Sequence, residues 1–126
     1  MKLREIASEK APETVNYAPA VELTGHERLL FVSGQIPVAR GGAVAEGFAA
    51  QTRQVWANIL HHLEAAGMDY DNVVKVTTYL SSHEHRMEYR ALRDEILGGR
   101  RPALTVVICD IFDPAWLLEV DVIAAA

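Results

Sequence analysis

The stretch Leu30-Phe-Val-Ser-Gly-Gln-Ile-Pro-Val38 decides how this chain folds. An apolar run ends in Ser33-Gly34-Gln35 and is closed off by Pro37. A strand that ends this way sets a hydroxyl, a flexible backbone and an amide at one edge of a sheet. Gly34 lacks a Cβ, so a ligand or a second backbone can approach it closely. Ser-Gly also serves plain turn chemistry, so the stretch takes its meaning from its surroundings.

Upstream, residues 3–6 read as a first strand, followed by an irregular arm around Ala11-Pro12 and Tyr17-Ala-Pro19. Residues 20–24 and 29–33 read as a hairpin closed by Gly25-His-Glu-Arg28, because turn residues separate two apolar runs. Downstream, Gly41-Gly42 mark a loop tip. From residue 47 to 66 the period becomes helical: Phe48, Thr52, Val55, Ile59 and Leu63 recur at spacings of three and four, with Trp56 and Leu60 widening the stripe. Gly67 is the expected stop. Residues 73–80 form a strand with Val74, Val76, Thr78 and Leu80 on one face and Lys75, Thr77 and Tyr79 on the other. Ser81-Ser82 cap a second helix over residues 83–97, which ends at Gly98-Gly99. Residues 103–109 and 117–124 are the last two strands, joined across Asp113-Pro114.

The order βββαβαββ specifies an α+β sandwich, two helices on one face of a mixed sheet. A single helical layer leaves the other sheet face bare, and assembly into an oligomer is the expected way to bury it. The 126 residues suffice for a single domain, residues 1–126, with one core. Half of them are hydrophobic, which places the chain among globular rather than disordered sequences. A formal charge of −5 argues against nucleic-acid binding, since phosphate contacts need a surplus of clustered Lys and Arg. The densest basic cluster, Arg100-Arg101 near Arg93, is too small for that footprint. The single cysteine, Cys109, forms no internal disulfide, the N-terminus carries no apolar signal core, and no apolar run spans a bilayer. A cytoplasmic protein without a membrane partner is the expectation.

Ser33-Gly34-Gln35, together with Tyr17 upstream, Arg101-Pro-Ala103 downstream and Leu118-Glu-Val-Asp-Val-Ile-Ala124 at the end, resembles the RidA family (YjgF/UK114) of enamine and imine deaminases. The order and spacing match over essentially the whole chain. The resemblance implies a chorismate-mutase-like fold and a homotrimer whose three sheets form a central barrel, with ligand clefts between subunits. It also implies hydrolysis of 2-aminoacrylate and related small enamines or imines to 2-keto acids and ammonia. That chemistry needs a group to hold the carboxylate, a positioned water and a proton donor, with no metal or other cofactor.

By the same resemblance, an arginine in a Pro-Ala-Arg-Ser setting holds the carboxylate. This chain reads Pro102-Ala103-Leu104-Thr105, so Leu104 occupies the arginine's place. A leucine offers neither charge nor hydrogen bond, and a carboxylate against it would be desolvated without compensation. Val106 shares the face of Leu104 by the two-residue strand period, which makes this wall of the cleft apolar. Arg100 and Arg101 either swing in as substitutes or pair with acidic residues at a subunit seam.

Glu119 matches the family glutamate thought to orient the hydrolytic water, and Asp121 shares its strand face. Tyr17 matches the tyrosine that covers the ligand, and Ser33 and Gly34 match strand-end donors; all three also have structural readings. Thr105 replaces the serine after the arginine and points outward. His61-His62 and His83-Glu-His85 lack the i, i+4 spacing of helical metal ligands and read as surface histidines. Cys109 reads as a core residue.

Two readings follow. One is an enamine/imine deaminase-type hydrolase with altered specificity, in which Glu119 positions water; the other is a non-catalytic trimer that binds a small molecule in the same cleft. An endoribonuclease or translation inhibitor, an old label for the family, fits the acidic balance poorly.

Overall fold

The computed structural model describes residues 1–126. It contains strands β1 (Lys2–Ile6), β2 (Ala20–Thr24) and β3 (Leu29–Gln35), helix α1 (Phe48–Ala65), strand β4 (Val73–Leu80), helix α2 (Arg86–Leu97), and strands β5 (Ala103–Ile108) and β6 (Leu118–Ala125). The order is the one read from the sequence. No helix is long and apolar enough to cross a membrane.

The strands divide into two sheets, not one. β1 and β2 form an antiparallel ribbon, and the other four strands run in the order β3-β6-β4-β5. β4 and β5 are parallel, with α2 as the crossover such a pair requires, while β6 is antiparallel to both β3 and β4. The expected hairpin between residues 20–24 and 29–33 is absent: β2 pairs with β1, placing Leu3 opposite Leu23 and Arg4 opposite Glu22. The turn is real, but its backbone serves the end of the chain. The N–H groups of Glu27 and Arg28 both donate to the Ala126 carbonyl at 2.8 Å.

α1 buries the stripe its spacing announces, with Val55, Trp56, Ile59 and Leu63 essentially inaccessible and Leu60 half-buried. Burying each of these large apolar side chains contributes about 1.5–3 kcal/mol, which is why the helix lies on the sheet. The helix ends at Gly67, whose φ of 71° suits a residue without Cβ. Gln51, polar yet buried, donates to the carbonyls of Ala45 and Ala115 and accepts from the Leu117 N–H, tying the approach to β6 onto the helix.

On β4 the buried residues are Val73, Val76, Thr78 and Leu80. The expected inward Val74 is only half-buried, because the register with β6 shifts between Val73 and Lys75. Ser82 accepts from the Glu84 N–H at 3.3 Å and caps a short 3-10 turn, His83–His85, so the α-helix itself starts at Arg86, three residues later than its expected start. His85 in that turn stacks on Phe48, with ring centroids 4.4 Å apart.

Both helices lie over the sheet face that carries Val32, Val76, Leu80, Leu118, Val120 and Val122. The opposite face carries Leu29, Phe31, Ile123 and Val107 among Lys75, Thr77, Tyr79, Glu119 and Asp121. No element of the chain covers it, and Phe31 is 69% exposed.

Candidate functional site

β5 is an edge strand, and its register with β4 sets the faces of its side chains. Leu104 lies opposite Val76 and Val106 opposite Thr78, so both point to the helix side of the sheet. There they line a cavity of about 540 Å³ between β5, α2 and the arm before β2. Tyr17 lines the same cavity. The arm is held there by the backbone: the Ala18 N–H donates to the Pro102 carbonyl at 3.2 Å, and Ala18 bridges Ala103 in parallel. Thr14 fixes the turn into Tyr17 by donating its hydroxyl to the Tyr17 carbonyl at 2.6 Å.

The other wall comes from α2, which contributes Arg86, Arg90 and Arg93 to the cavity at positions i, i+4 and i+7. Tyr89 also lines it; its hydroxyl shares a hydrogen bond with Thr78, and burial pushes its pKa up to about 12. The sequence reading overlooked this wall. Its signal was present, three arginines on one face of a helix, but arginines at that spacing on an outer face are ordinary solvated residues.

Ser33, Gly34 and Glu119 sit elsewhere. Glu119 lies opposite Tyr79 on the sheet face turned away from the helices. Its carboxylate covers Gly34 on β3: a Cβ built on that glycine would overlap it, lying 2.8 Å from Cδ and 3.1 Å from Cγ. Close approach thus explains the glycine in Ser-Gly-Gln. Asp121 shares this face and accepts from the Tyr79 hydroxyl at 3.2 Å. The Asp121 charge is the first cause holding the Tyr79 hydroxyl above its ordinary pKa, since ionisation would place two negative charges together.

Of the residues singled out in the sequence, the structure therefore gathers Tyr17, Leu104 and Val106 on one side and Ser33, Gly34 and Glu119 on the other. Arg101 joins neither group. Its guanidinium makes two hydrogen bonds to Glu5, at 3.0 and 3.1 Å, and one to the Tyr17 carbonyl at 3.0 Å. The pairing holds the Glu5 carboxyl below its usual pKa, first through the hydrogen bond from Arg101. Instead of replacing the missing arginine, Arg101 braces the arm that carries Tyr17. Arg100 is likewise engaged, with Asp71 at 2.6 Å. Thr105 is on the outward face, where it accepts from Lys75 Nζ at 2.6 Å. Cys109 is half-buried at the end of β5 and is not part of the core cluster.

The family model described as Endoribonuclease L-PSP matches residues 8–126. The chain belongs to this family, that of the RidA/YjgF proteins. A RutC family protein of Pyrococcus horikoshii is 34% identical over 122 residues, covering 94% of each chain. The 2-iminobutanoate/2-iminopropanoate deaminase of Salmonella typhimurium is 39% identical over 79 residues, which span 61% of this chain and 59% of that protein. Among solved structures, a Rid family protein of unknown function from Yersinia pestis superposes over the full length of both chains with a TM-score of 0.85 at 25% identity. These likenesses agree with the mixed α+β fold described above.

Proposed function

We propose that this protein is a hydrolase of small imines or enamines, acting at clefts formed between copies of the chain. The observation that carries the reading is the division of the candidate residues between two faces and two edges of one sheet. Tyr17, Leu104 and Val106 belong to the β5 edge, whereas Ser33 and Gly34 belong to the β3 edge, with Glu119 over them. A ring in which the β5 edge of one copy packs against the bare face of the next, beside its β3 edge, would unite the two groups, and head-to-tail contacts of this kind close into cyclic assemblies. The bare face with Leu29, Phe31 and Ile123 supports the same arrangement, in which three sheets enclose a barrel.

In the united cleft the chemistry is an addition followed by an elimination. Water adds its oxygen to the imine carbon while Glu119 accepts a proton from it. That proton passes to the nitrogen to give the carbinolamine. Its hydroxyl proton then moves through Glu119 to the same nitrogen as the C–N bond breaks, the C=O bond forms and ammonia leaves. The products are one carbonyl compound and one ammonia for each imine and water consumed. General acid–base help of this kind contributes about 10²–10⁴-fold.

With Leu104 and Val106 as the wall, imines with an apolar side chain fit better than 2-aminoacrylate. The test is hydrolysis of imines generated in situ from amino acids by an oxidase, followed as loss of the semicarbazone that traps the free imine. The leucine-derived imine should be cleared faster than the alanine-derived one, and Glu119→Gln should reduce clearance at least about a hundredfold. If an assembled wild-type protein clears none of these imines, the non-catalytic binding role, which the apolar wall also suits, takes the place of the deaminase.

A further inference from the structure

Arg93 is only 5% exposed, yet its guanidinium is poorly matched. Its single hydrogen-bonding partner is the carboxylate of the next residue, Asp94, reached by one nitrogen at 3.3 Å. The other oxygen of Asp94 accepts from Asn16 at 2.8 Å, so this acid is shared between the helix and the arm. The Tyr89 ring lies under the guanidinium at 5.9 Å, a support that does nothing for its N–H groups. An arginine presents five donors in a fixed fork, and those of Arg93 that Asp94 does not take remain accessible at the cavity, since the one fully buried side-chain polar atom without a partner is Trp56 Nε1.

The open side of that fork faces the cavity behind Leu104. Arg90 and Arg86 follow along the same helix face, and neither is paired with a carboxylate. The cavity lining offers one acid, Glu13, against these three guanidinium groups, although the chain as a whole carries a charge of −5. Beside the cationic wall lie Leu104, Val106 and Ile108. A site built from a cationic fork at one end and an aliphatic wall along one side selects a carboxylate attached to an apolar body.

Resting on the reading of this cleft as the ligand site, we infer that Arg93 holds the ligand carboxylate from α2, and that the cleft takes carboxylates with a branched aliphatic or aromatic side chain. Leu104 then packs against that side chain. The anion-holding group is thus not absent from this cleft but supplied by the helix opposite the strand. The fork suits the task, since a planar guanidinium binds a carboxylate through two parallel hydrogen bonds.

Binding is tested by titration calorimetry with pyruvate, 4-methyl-2-oxopentanoate and phenylpyruvate, and with the methyl ester of the last. Wild-type protein should bind the two larger acids at least about tenfold more tightly than pyruvate, and the ester about as weakly as Arg93→Met binds the acid. Arg93→Met should lose about ten- to a hundredfold in affinity for phenylpyruvate, the scale of one charge-assisted hydrogen-bonded pair. If Arg93→Met does not fold, Arg93→Lys keeps the charge without the fork and should weaken binding several-fold. Unchanged affinity in a folded variant overturns the inference, as does the absence of saturable binding of any of these acids to wild type. Imine clearance separates this result from the deaminase reading. Arg93-dependent binding without clearance leaves the inference standing and removes the hydrolase, whereas clearance with an unaltered KM in Arg93→Met does the reverse.

Discussion

Leu104 and Glu119 lie on opposite faces of the same four-stranded sheet, on strands separated by β4. Leu104 shares its face with Val76 and the helices, and Glu119 shares its face with Tyr79 on the bare side. No rotation of either side chain brings the two into one pocket within a single chain. A cleft that uses both must draw them from two copies.

Assembly should therefore depend on the bare face. Phe31, which projects from it, is the most exposed large apolar residue of the four-stranded sheet. Light scattering should report a trimer for wild type at micromolar concentration, and Phe31→Glu should shift it to monomers with little change in the helical circular dichroism signal. A monomeric wild type would rule out a cleft formed between copies.

Gly34→Ala tests the contact under Glu119. The backbone of Gly34 does not have a positive φ, so alanine is compatible with it, and the Glu119 side chain must give way. Glu119 ends in a flexible carboxylate, so the cost to stability should stay within about 1 kcal/mol. Imine clearance should fall at least about tenfold, because the displaced carboxylate no longer lines up with the attacking water. Thermal melts and clearance measured on the same preparation separate the two effects.

Leu104→Arg would place a further guanidinium in a cavity already lined by Arg86, Arg90 and Arg93. Like charges in a partly desolvated site repel, so the variant should melt below wild type in anion-free buffer. Millimolar pyruvate should restore more of its melting temperature than it adds to wild type, by bridging the new arginine. Calorimetry should show pyruvate affinity increased about tenfold.

Tyr89 governs behaviour at high pH. Burial raises its pKa to about 12, so between roughly pH 10 and 12 the unfolded chain loses this proton while the folded chain keeps it. The stabilisation is fully present below pH 10 and disappears as pH rises through the folded value. Its size is on the order of 2–3 kcal/mol. Tyr89→Phe should start less stable, having lost the hydrogen bond with Thr78, but its urea midpoint should fall less steeply over that alkaline range. Equal slopes for the two proteins would show that other groups dominate.

Element order was legible because each element carries its own period: the α1 stripe, the β-branched run of β4 and the punctuation at Gly67 and Gly98 are local signals. Strand pairing was not. The run Gly25-His-Glu-Arg28 says that the chain turns, but not that its N–H groups will be taken by Ala126, a partner nearly a hundred residues away. The inward Val73 was hidden for a similar reason, since a register shift belongs to the pairing with β6 and not to β4 alone.

The candidate site divides in the same way. Leu104 and Val106 were readable as one face because strand period is rigid. The role of Arg101 depended on Glu5, ninety-six residues distant, which local pattern does not reveal. Arg93 was visible only as a charge near Arg100-Arg101. Its significance comes from burial against the cavity, which emerges once α2 is laid over β5.

In the assembled protein Glu119 of one copy should face Leu104 of the next, and proximity measures this most directly. In a Cys109→Ala background, a tagged chain carrying Leu104→Cys is co-expressed with an untagged chain carrying Glu119→Cys, and the assembly is treated with a short bis-maleimide. A covalent tagged–untagged pair should appear on a denaturing gel and be absent when either cysteine is omitted. An intact assembly that yields no such pair, while a single chain bearing both cysteines closes on itself, would contradict the intersubunit cleft.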